Sequence, residues 1–323
     1  MAATAFSDLV DKSPVFAAYM EAMLPEKIQL VRSGAVGINP RSDIIGEFSR
    51  HGGKTFKIPF YKEISQSNAE LLTANTNLTR RAMTTGVDIG VVCARGLVMS
   101  GEDIAAIFAG TDPVKEAARQ MANFWARQLD TSLIKVLSGA IASESATYQL
   151  DKSAQEFSPD LLIDAADLLG DEGDSLSIVI MHSKVAHKLQ KANILTYPNA
   201  TDVGANHLLR EGRIGPRIVF VTDQAPVSSS VYSTFLLRPG AMSLYYQKNL
   251  KLEANREPLL AGGTDDLVST IHYVPHLNYL KWIGTASGTT PTDVELATSG
   301  NWDSVAGNSK DVGAVEIKSL ATL

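Results

Sequence analysis

A glycine pair followed by lysine and threonine, Gly52-Gly53-Lys54-Thr55, is the part of this sequence most like a phosphate-binding loop. The nucleotide-binding pattern needs another glycine five positions before Gly53 and a helix directly after the lysine and threonine. This chain has Phe48 at that glycine position, and an alternating strand pattern follows Thr55. We therefore interpret the glycines as a turn that opens a hairpin, and we predict no nucleotide site there.

The other candidates for metal or acid–base chemistry lack the required spacing. His182 and His187 are five residues apart, so they do not share a helical face as ligands four residues apart do. Asp265 and Asp266 have no third ligand at calcium-loop spacing, and the single Cys93 allows neither an intrachain disulfide nor a cysteine zinc site. Gly-x-Ser-x-Gly and His-Glu-x-x-His motifs are absent. We predict no catalytic residue, no metal and no cofactor, with the histidines at the surface or at a helix cap.

Composition and charge are those of an ordinary soluble globular chain. The 323 residues are 45% hydrophobic and 20% charged, which is enough for one large domain or two smaller ones. The formal charge of −6 argues against a protein whose main task is to grip a nucleic-acid backbone, because that task needs a dense basic patch. The N-terminus lacks the basic start and apolar core of a secretory signal, and we predict no membrane span.

The strongest local pattern predicts two consecutive helices around which the other elements are arranged. A cap pattern at Ser100 begins a short helix that ends at Gly110. Asp112 caps the second helix, and Pro113 suits its first position because no intrahelical partner exists there for the missing N–H. No further glycine or proline interrupts the chain before Gly139, the expected end, so this helix is predicted to be about 40 Å long.

The long helix is predicted to bury one face. Its apolar stripe comprises Val114, Ala118, Met121, Ala122, Trp125, Leu129, Leu133 and Val136. The opposite side carries Glu116, Arg119, Asn123, Arg127, Asp130 and Lys135. Phe124 and Ile134 fall outside the stripe, so we predict that each contacts another part of the fold or another chain.

An extended hairpin is predicted before these helices. Phe56, Ile58 and Phe60 alternate with Lys57, Pro59 and Tyr61, a polar tip follows over 62–81, and the return run places Val87, Ile89, Val91 and Cys93 on one side. Because a two-stranded hairpin alone is marginally stable in water, its apolar faces must lie along another surface. That surface is either the body of the same chain or a neighbouring copy.

Beyond the long helix, the sequence predicts an α/β or α+β region with a central sheet. Its elements are a polar loop over 148–158, a helix over 159–170, a helix capped by Ser183, and strands at 177–181, 218–221, 231–237 and 242–246. Two alternating runs, 250–255 and 267–274, predict a further strand pair. The polar tail beyond Gly284 is predicted to pack back onto the body through Trp302 and residues 315–317.

Three stretches carry a resemblance to a known family. They are Asn123-Phe124-Trp125-Ala126-Arg127-Gln128, Asn255-Arg256-Glu257, and Val294-Glu295-Leu296-Ala297-Thr298-Ser299-Gly300-Asn301-Trp302. Together with the order of arm, hairpin, Gly110-Thr111-Asp112-Pro113, long helix and sheet, they make the chain resemble the major capsid protein of tailed bacteriophages, the Johnson fold. The resemblance implies an α+β fold with an N-terminal arm (1–46), an extended hairpin loop (47–99), a spine helix and peripheral domain (100–158), a central axial sheet domain (159–247), peripheral strands (248–284) and a C-terminal segment (285–323).

The resemblance implies a structural function and no enzymatic activity. Copies would form the pentamers and hexamers of an icosahedral shell that encloses double-stranded DNA without sequence-specific binding, in a virion assembled in the host cytoplasm. About 45 residues precede the hairpin, too few for a fused scaffold, so a separate scaffolding protein is expected, with a portal and a decoration protein as further partners. Some relatives crosslink subunits through a lysine and an asparagine, but no acceptor is identified for Lys54, Lys57 or Lys62.

The hairpin, the stray positions of the helix and the resemblance together supply candidate assembly residues. These are Lys54, Phe56, Lys57, Phe60, Tyr61, Arg80, Arg81, Phe124, Arg127, Ile134, Arg256 and Glu257. Three alternatives stay open: an encapsulin-type cellular shell with the same fold, a hydrolase or nucleotide-binding enzyme that uses the central sheet, and a tail or baseplate protein. The spine and tail motifs disfavour the first, the missing catalytic motifs the second, and the spine helix the third.

Overall fold

The computed structural model describes residues 28–39, 54–62, 69–72, 77–79, 82–102, 113–197, 211–257 and 264–321. These residues combine helices with a seven-stranded sheet, a four-stranded sheet and two two-stranded sheets. The predicted Gly110-Thr111-Asp112 hinge lies outside the described residues. In the part of the chain that the structure describes, no helix has the length and apolar character needed to cross a membrane.

The elements follow one another in a simple order along the chain. The helices are α1 (Gln29–Arg32), α2 (Pro113–Ser143), α3 (Ser145–Tyr148), α4 (Asp160–Asp167), α5 (Ser183–Lys191) and α6 (Asp293–Leu296). The strands are β1 (Val36–Ile38), β2 (Thr55–Tyr61), β3 (Thr85–Val91), β4 (Cys93–Glu102), β5 (Gln149–Glu156), β6 (Ile178–Met181), β7 (Glu211–Ile214), β8 (Arg217–Val221), β9 (Val227–Ser228), β10 (Val231–Leu237), β11 (Met242–Glu257), β12 (Thr264–Leu277), β13 (Leu280–Trp282), β14 (Trp302–Ser304) and β15 (Ala314–Leu320).

Helix α2 begins at Pro113 as predicted, but its predicted end at Gly139 is wrong, because the helix continues to Ser143. A Cβ atom at Gly139 would lie 2.2 Å from the carbonyl oxygen of Leu296 and 2.9 Å from the carbonyl carbon of Ala297. The glycine therefore lets the backbone at the end of α6 approach α2 near its C-terminal end. It is a packing residue rather than a helix cap.

Gly139→Ala is expected to destabilise the subunit by about 1–3 kcal/mol, the usual cost of overpacking. The cost arises because the contact is with backbone, which cannot rotate away. The higher helix propensity of alanine, worth about 1 kcal/mol, offsets only part of it. Thermal unfolding measures the change, and Ser138→Ala in the same turn is the control with little expected effect. A melting midpoint that rises for Gly139→Ala would contradict this interpretation.

The seven-stranded sheet has the strand order β5-β15-β10-β6-β8-β7, with β9 paired to β10. The predicted strands at 177–181, 218–221 and 231–237 are confirmed as β6, β8 and β10. The predicted loop over 148–158 is wrong, since β5 pairs there in parallel with β15. β15, from the predicted C-terminal segment, lies between β5 and β10 and is largely buried.

The four-stranded sheet has the order β1-β11-β12-β4 and packs against α2. The run at 242–246 belongs to this sheet rather than to the central one, because it pairs with β1 and β12, and β11 continues past the predicted boundary at 247 with two shifts of register. The predicted helix cap at Ser100 is wrong, because Ser100 lies in β4 opposite Asp266 of β12. Residues 103–110 lie outside the described part of the chain.

Candidate assembly surfaces

Strands β2 and β3 form a separate two-stranded hairpin. In its register, Phe56 lies opposite Gly90, and Ile58 lies opposite Asp88. Residues directly opposite each other in an antiparallel pair share a face. That face is turned to the body, since Phe56, Ile58, Asp88 and Gly90 are all buried.

The predicted inner face of β3 is wrong at its outer end. Val87 is 46% exposed and Ile89 half-buried, although Val91 and Cys93 are buried as expected. The physical reason is close packing: a Cβ atom at Gly86 would lie 2.5 Å from Cζ of Phe60. The inner face of β3 is therefore made of small residues and one aspartate, and Val87 is exposed on the other side of the strand.

The hairpin exposes an unusual number of large apolar side chains. Leu71 is 92% and Leu72 is 86% exposed. We use the name hairpin apolar surface for the exposed residues Tyr61, Leu71, Leu72, Leu78, Met83 and Val87. Large exposed apolar side chains grouped on one element are typical of interaction surfaces, so this surface is a candidate for a contact with another chain.

The predicted assembly residues of the hairpin occupy different environments. Lys54, Lys57 and Tyr61 are exposed. Phe56 is buried, with its ring centroid 4.8 Å from that of Tyr245, so in this subunit it packs within its own chain and is not a contact residue. Phe60 is half-buried with an edge contact to Tyr279. Arg80 and Arg81 lie outside the described residues.

On the spine helix α2, the structure buries all of the predicted core residues, Met121, Trp125, Leu129, Leu133 and Val136. Of the two stray positions, Phe124 is 41% exposed beside the exposed Arg127, whereas Ile134 is fully buried in its own chain. Ile134 thus contacts another part of the fold, which is the first of the two alternatives predicted for it. Arg256 and Glu257 lie in β11 opposite Asp265 and Thr264, in a part of the strand where only the backbone is described.

A polar cluster that the sequence did not predict joins α2, β4 and α6. Arg95 donates to the carboxylate of Asp293 at 3.2 Å and to the carbonyl of Pro291 at 2.7 Å. Gln128 of α2 donates to the other oxygen of Asp293 at 3.0 Å. Nearby, burial raises the pKa of Cys93 to about 12, so its thiol stays protonated and unreactive. This cluster fastens the spine helix to the four-stranded sheet.

Asp130, predicted on the polar side of the helix, is buried instead. Its two carboxylate oxygens accept hydrogen bonds from the backbone N–H groups of Gln29 at 3.1 Å and Leu30 at 3.2 Å. These residues belong to the N-terminal arm, whose Ile28 and Leu30 are buried in the main core. Asp130 therefore fixes the arm to the spine helix, and burial raises the pKa of its carboxyl to about 6.

Asp130→Asn is expected to remove one pH-dependent contribution to stability. The pKa of Asp130 is about 6 in the folded chain against an ordinary value of 3.8, so the folded state binds this proton more tightly. The contribution is therefore fully present below about pH 4 and is lost as the pH rises through about 6, by up to about 3 kcal/mol. Urea denaturation of both proteins at about pH 4 and pH 7 measures it. A wild-type-minus-variant difference that stays constant with pH would contradict the assignment.

The histidine that follows the central strand β6 has a structural role. His182 is the N-cap of α5, and its Nδ1 accepts a hydrogen bond from the backbone N–H of Lys184, which confirms the predicted capping histidine and corrects the predicted cap at Ser183. Within the described ranges, no group of three histidine, cysteine, aspartate or glutamate side chains is placed to hold a metal ion.

Comparison with known proteins gives one consistent result. Residues 34–315 match the family model Gp13-like, described as major capsid protein 13-like. The chain is 28% identical over 265 residues to the major capsid protein of Bacillus phage SPP1, which covers 79% of this chain and 80% of that protein.

Solved structures show the same fold at low identity. The capsid of a native GTA particle superposes with a TM-score of 0.56 at 12% identity, covering 91% of both chains. The head structure of Helicobacter pylori bacteriophage KHP40 gives 0.55 at 9% identity, covering 83% of this chain and 84% of that one. The mixed α and β fold class predicted from the sequence is thereby confirmed.

Proposed function

This chain belongs to the Gp13-like family of phage major capsid proteins, a structural family rather than an enzyme family, and from this premise we propose that its copies associate through the hairpin apolar surface into the pentamers and hexamers of a closed shell. The observation that carries the proposal is the exposure of Leu71 and Leu72 on a hairpin whose opposite face packs on its own chain. Burying such side chains against a neighbour is favourable by about 25 cal/mol per Å² of apolar area.

A contact made by the hairpin would be of the kind from which rings are built. A hairpin that reaches from one subunit onto a different surface of the next makes a heterologous contact, and such contacts generate rings when the rotation closes. On the spine helix, the exposed pair Phe124 and Arg127 is a candidate for the receiving surface. The lysines at 54 and 57 are exposed near the base of the hairpin and would lie at the edge of this contact.

The proposal extends to the partners and the contents of the shell. The shell would enclose double-stranded DNA without sequence-specific binding, which the net charge of −6 supports because a container must not adhere to its contents. A separate scaffolding protein, a portal and a decoration protein would complete the particle, and assembly would take place in the host cytoplasm.

Negative-stain electron microscopy tests the proposal most directly. The protein is expressed alone and together with the neighbouring open reading frames, and each sample is inspected for closed shells or capsomer rings. Shells in either sample are the expected result, and shells only in the second would identify the need for a scaffold. A uniform small monomer in both samples would contradict the proposal.

A further inference from the structure

The hairpin meets the body mainly through apolar contacts. Phe56 and Ile58 of β2 form a small cluster with Val92, Tyr245 and Val274, which is separate from the main core. Apolar contacts are not directional, so on their own they permit one surface to slide or tilt on the other. Directional interactions such as hydrogen bonds are therefore needed to set the angle at which the hairpin leaves the body.

Asp88 of β3 supplies directional contacts at this junction. The side chain is almost fully buried, and its Oδ2 accepts hydrogen bonds from Nε2 of His276 at 2.8 Å and from the backbone N–H of Tyr279 at 2.7 Å. Its Oδ1 accepts the N–H of Ile89 at 2.8 Å. One carboxylate thus joins the hairpin to the end of β12 and to the turn that follows it. Because each hydrogen bond requires a narrow range of distances and angles, these three contacts together fix the orientation of the strand.

The body side of this junction is shaped to hold the carboxylate. His276 is fully buried, and its hydrogen bond to Asp88 places a proton on Nε2. Its Nδ1 has no hydrogen-bond partner among the described residues. Tyr279 has a φ of 68°, a conformation that is rare for a residue with a side chain. An unpaired ring nitrogen and a strained backbone beside one carboxylate mark a site with a purpose beyond packing.

The hairpin packs closely against the body near Asp88, and an open space lies beside this contact. Gly90 flanks Asp88 on the inner face, and a Cβ atom there would lie 2.6 Å from Cγ1 of Val274. Beside the carboxylate, a cavity of about 240 Å³ separates the hairpin from the body, and its lining includes Phe60, Asp88, Met242 and Tyr279. The hairpin therefore has space to reseat when the hydrogen bonds of Asp88 are broken.

We propose that Asp88 is a positioning residue, a releasable latch that fixes the angle of the hairpin on the body through His276 and the backbone of Tyr279. The latch holds the hairpin apolar surface in one orientation before a neighbour is met, and breaking it lets the hairpin tilt into the adjacent cavity. A preset orientation lowers the ordering cost of association. The role in assembly rests on the proposed shell function, whereas the latch itself is a property of the single subunit.

Hydrogen–deuterium exchange on unassembled full-length subunits tests the latch. Asp88→Ala is expected to speed the exchange of amides in β2 and β3 by about tenfold to hundredfold, because the buried partners lose their acceptor. Asp88→Asn, which keeps one acceptor oxygen, is expected to lie between Asp88→Ala and the wild type. Amides of β10 and β15 in the seven-stranded sheet should keep their wild-type rates in both variants.

Asp303→Asn is the matched control, because Asp303 makes a partly exposed ion pair with Lys281 of β13. It should leave hairpin exchange unchanged. Equal exchange rates in the hairpins of wild type and Asp88→Ala would overturn the proposal. An equal rise of the exchange rates throughout the body would also overturn it, because it would mean general destabilisation.

Electron microscopy of the particles made by Asp88→Asn then tests the role in assembly. Fewer closed shells from a subunit with a wild-type melting midpoint support that role. If the wild type forms no shells, the exchange result still decides the latch, and only the shell function fails.

Discussion

Trp125→Ala is expected to lower the free energy of unfolding by about 3–5 kcal/mol, the usual cost of emptying a large aromatic site. The indole is fully buried on the spine helix, and its Nε1–H donates to Oγ of Ser269 at 3.0 Å. Ser269 in turn donates to the carbonyl of Leu97 at 3.2 Å. The substitution therefore empties a cavity between the helix and the four-stranded sheet and removes the donor to Ser269. Urea denaturation followed by circular dichroism measures the loss.

Phe124→Ala is the matched control for this substitution. Phe124 is the adjacent aromatic residue on the same helix, but it is 41% exposed, and we expect a loss of about 1 kcal/mol or less. Trp125→Phe keeps most of the volume without the donor, so its loss should lie between the other two. Similar losses for Trp125→Ala and Phe124→Ala would show that the buried face of the helix is assigned incorrectly.

The buried stripe of α2 could be predicted from sequence because its signal is local. Trp125, Leu129 and Leu133 recur at helical spacing over several turns, and each turn repeats the same information. The N-terminal boundary at Pro113 is equally local, since proline fits only the first helical turn. Features that depend only on residues within one helix can thus be predicted from the sequence.

Other features of the same helix depend on contacts that are distant in the chain. Asp130 is polar by type, yet it is buried because the amides of Gln29 and Leu30 need an acceptor there. Gly139 reads as a helix end, yet it is a contact point for Leu296. The pairing partners lie about 100 or more residues away, so no local window contains them.

The central sheet shows the same limit. β5 has the polar sequence Gln149-Leu150-Asp151-Lys152-Ser153-Ala154-Gln155-Glu156, which is typical of a loop. It becomes a strand because it occupies the edge of the sheet, where β15 offers its free backbone groups and the side chains remain largely in solvent. A strand held by main-chain pairing at an edge carries little apolar signal of its own.

The sequence predicted the hairpin that carries the candidate assembly surface, but it did not predict which side chains of the hairpin are exposed. The alternation of apolar and polar residues correctly located the two strands of the hairpin. Such a pattern defines two faces of a strand, and the more apolar face was predicted to be the buried one. In β3 the inner positions are Gly86, Asp88 and Gly90, because the ring of Phe60 in β2 leaves no room for a side chain at the first and Val274 of the body leaves none at the third. The signal that could have revealed this is the Gly-x-Asp-x-Gly pattern itself, since glycine at alternate positions weakens a strand unless close approach requires it.

Deletion of residues 62–81, with Asn-Gly inserted between Tyr61 and Ala82, is expected to leave a folded subunit that closes no shells. The inner face of the hairpin and its contacts with the body remain, because the pairing from Thr55 to Tyr61 with Thr85 to Val91 is untouched. What disappears is half of the hairpin apolar surface, including Leu71 and Leu72. Circular dichroism and the melting midpoint should stay close to wild type, while electron microscopy shows free subunits or open rings. Normal closed particles from the deletion would contradict the assembly role of the hairpin.

A double substitution tests the same surface without changing the length of the chain. Leu71→Ser with Leu72→Ser removes the two most exposed apolar side chains of the hairpin, and because neither is buried in the subunit, its unfolding should change little. If the pair is buried against a neighbouring copy, each contact loses the transfer free energy of two leucines, about 3–6 kcal/mol in total, which multiplied over a ring prevents closure. Ile163→Ser on α4, also an exposed apolar position, is the control and should assemble normally. A similar loss of shells in both variants would point to a general effect of surface polarity and would remove the special role of the hairpin.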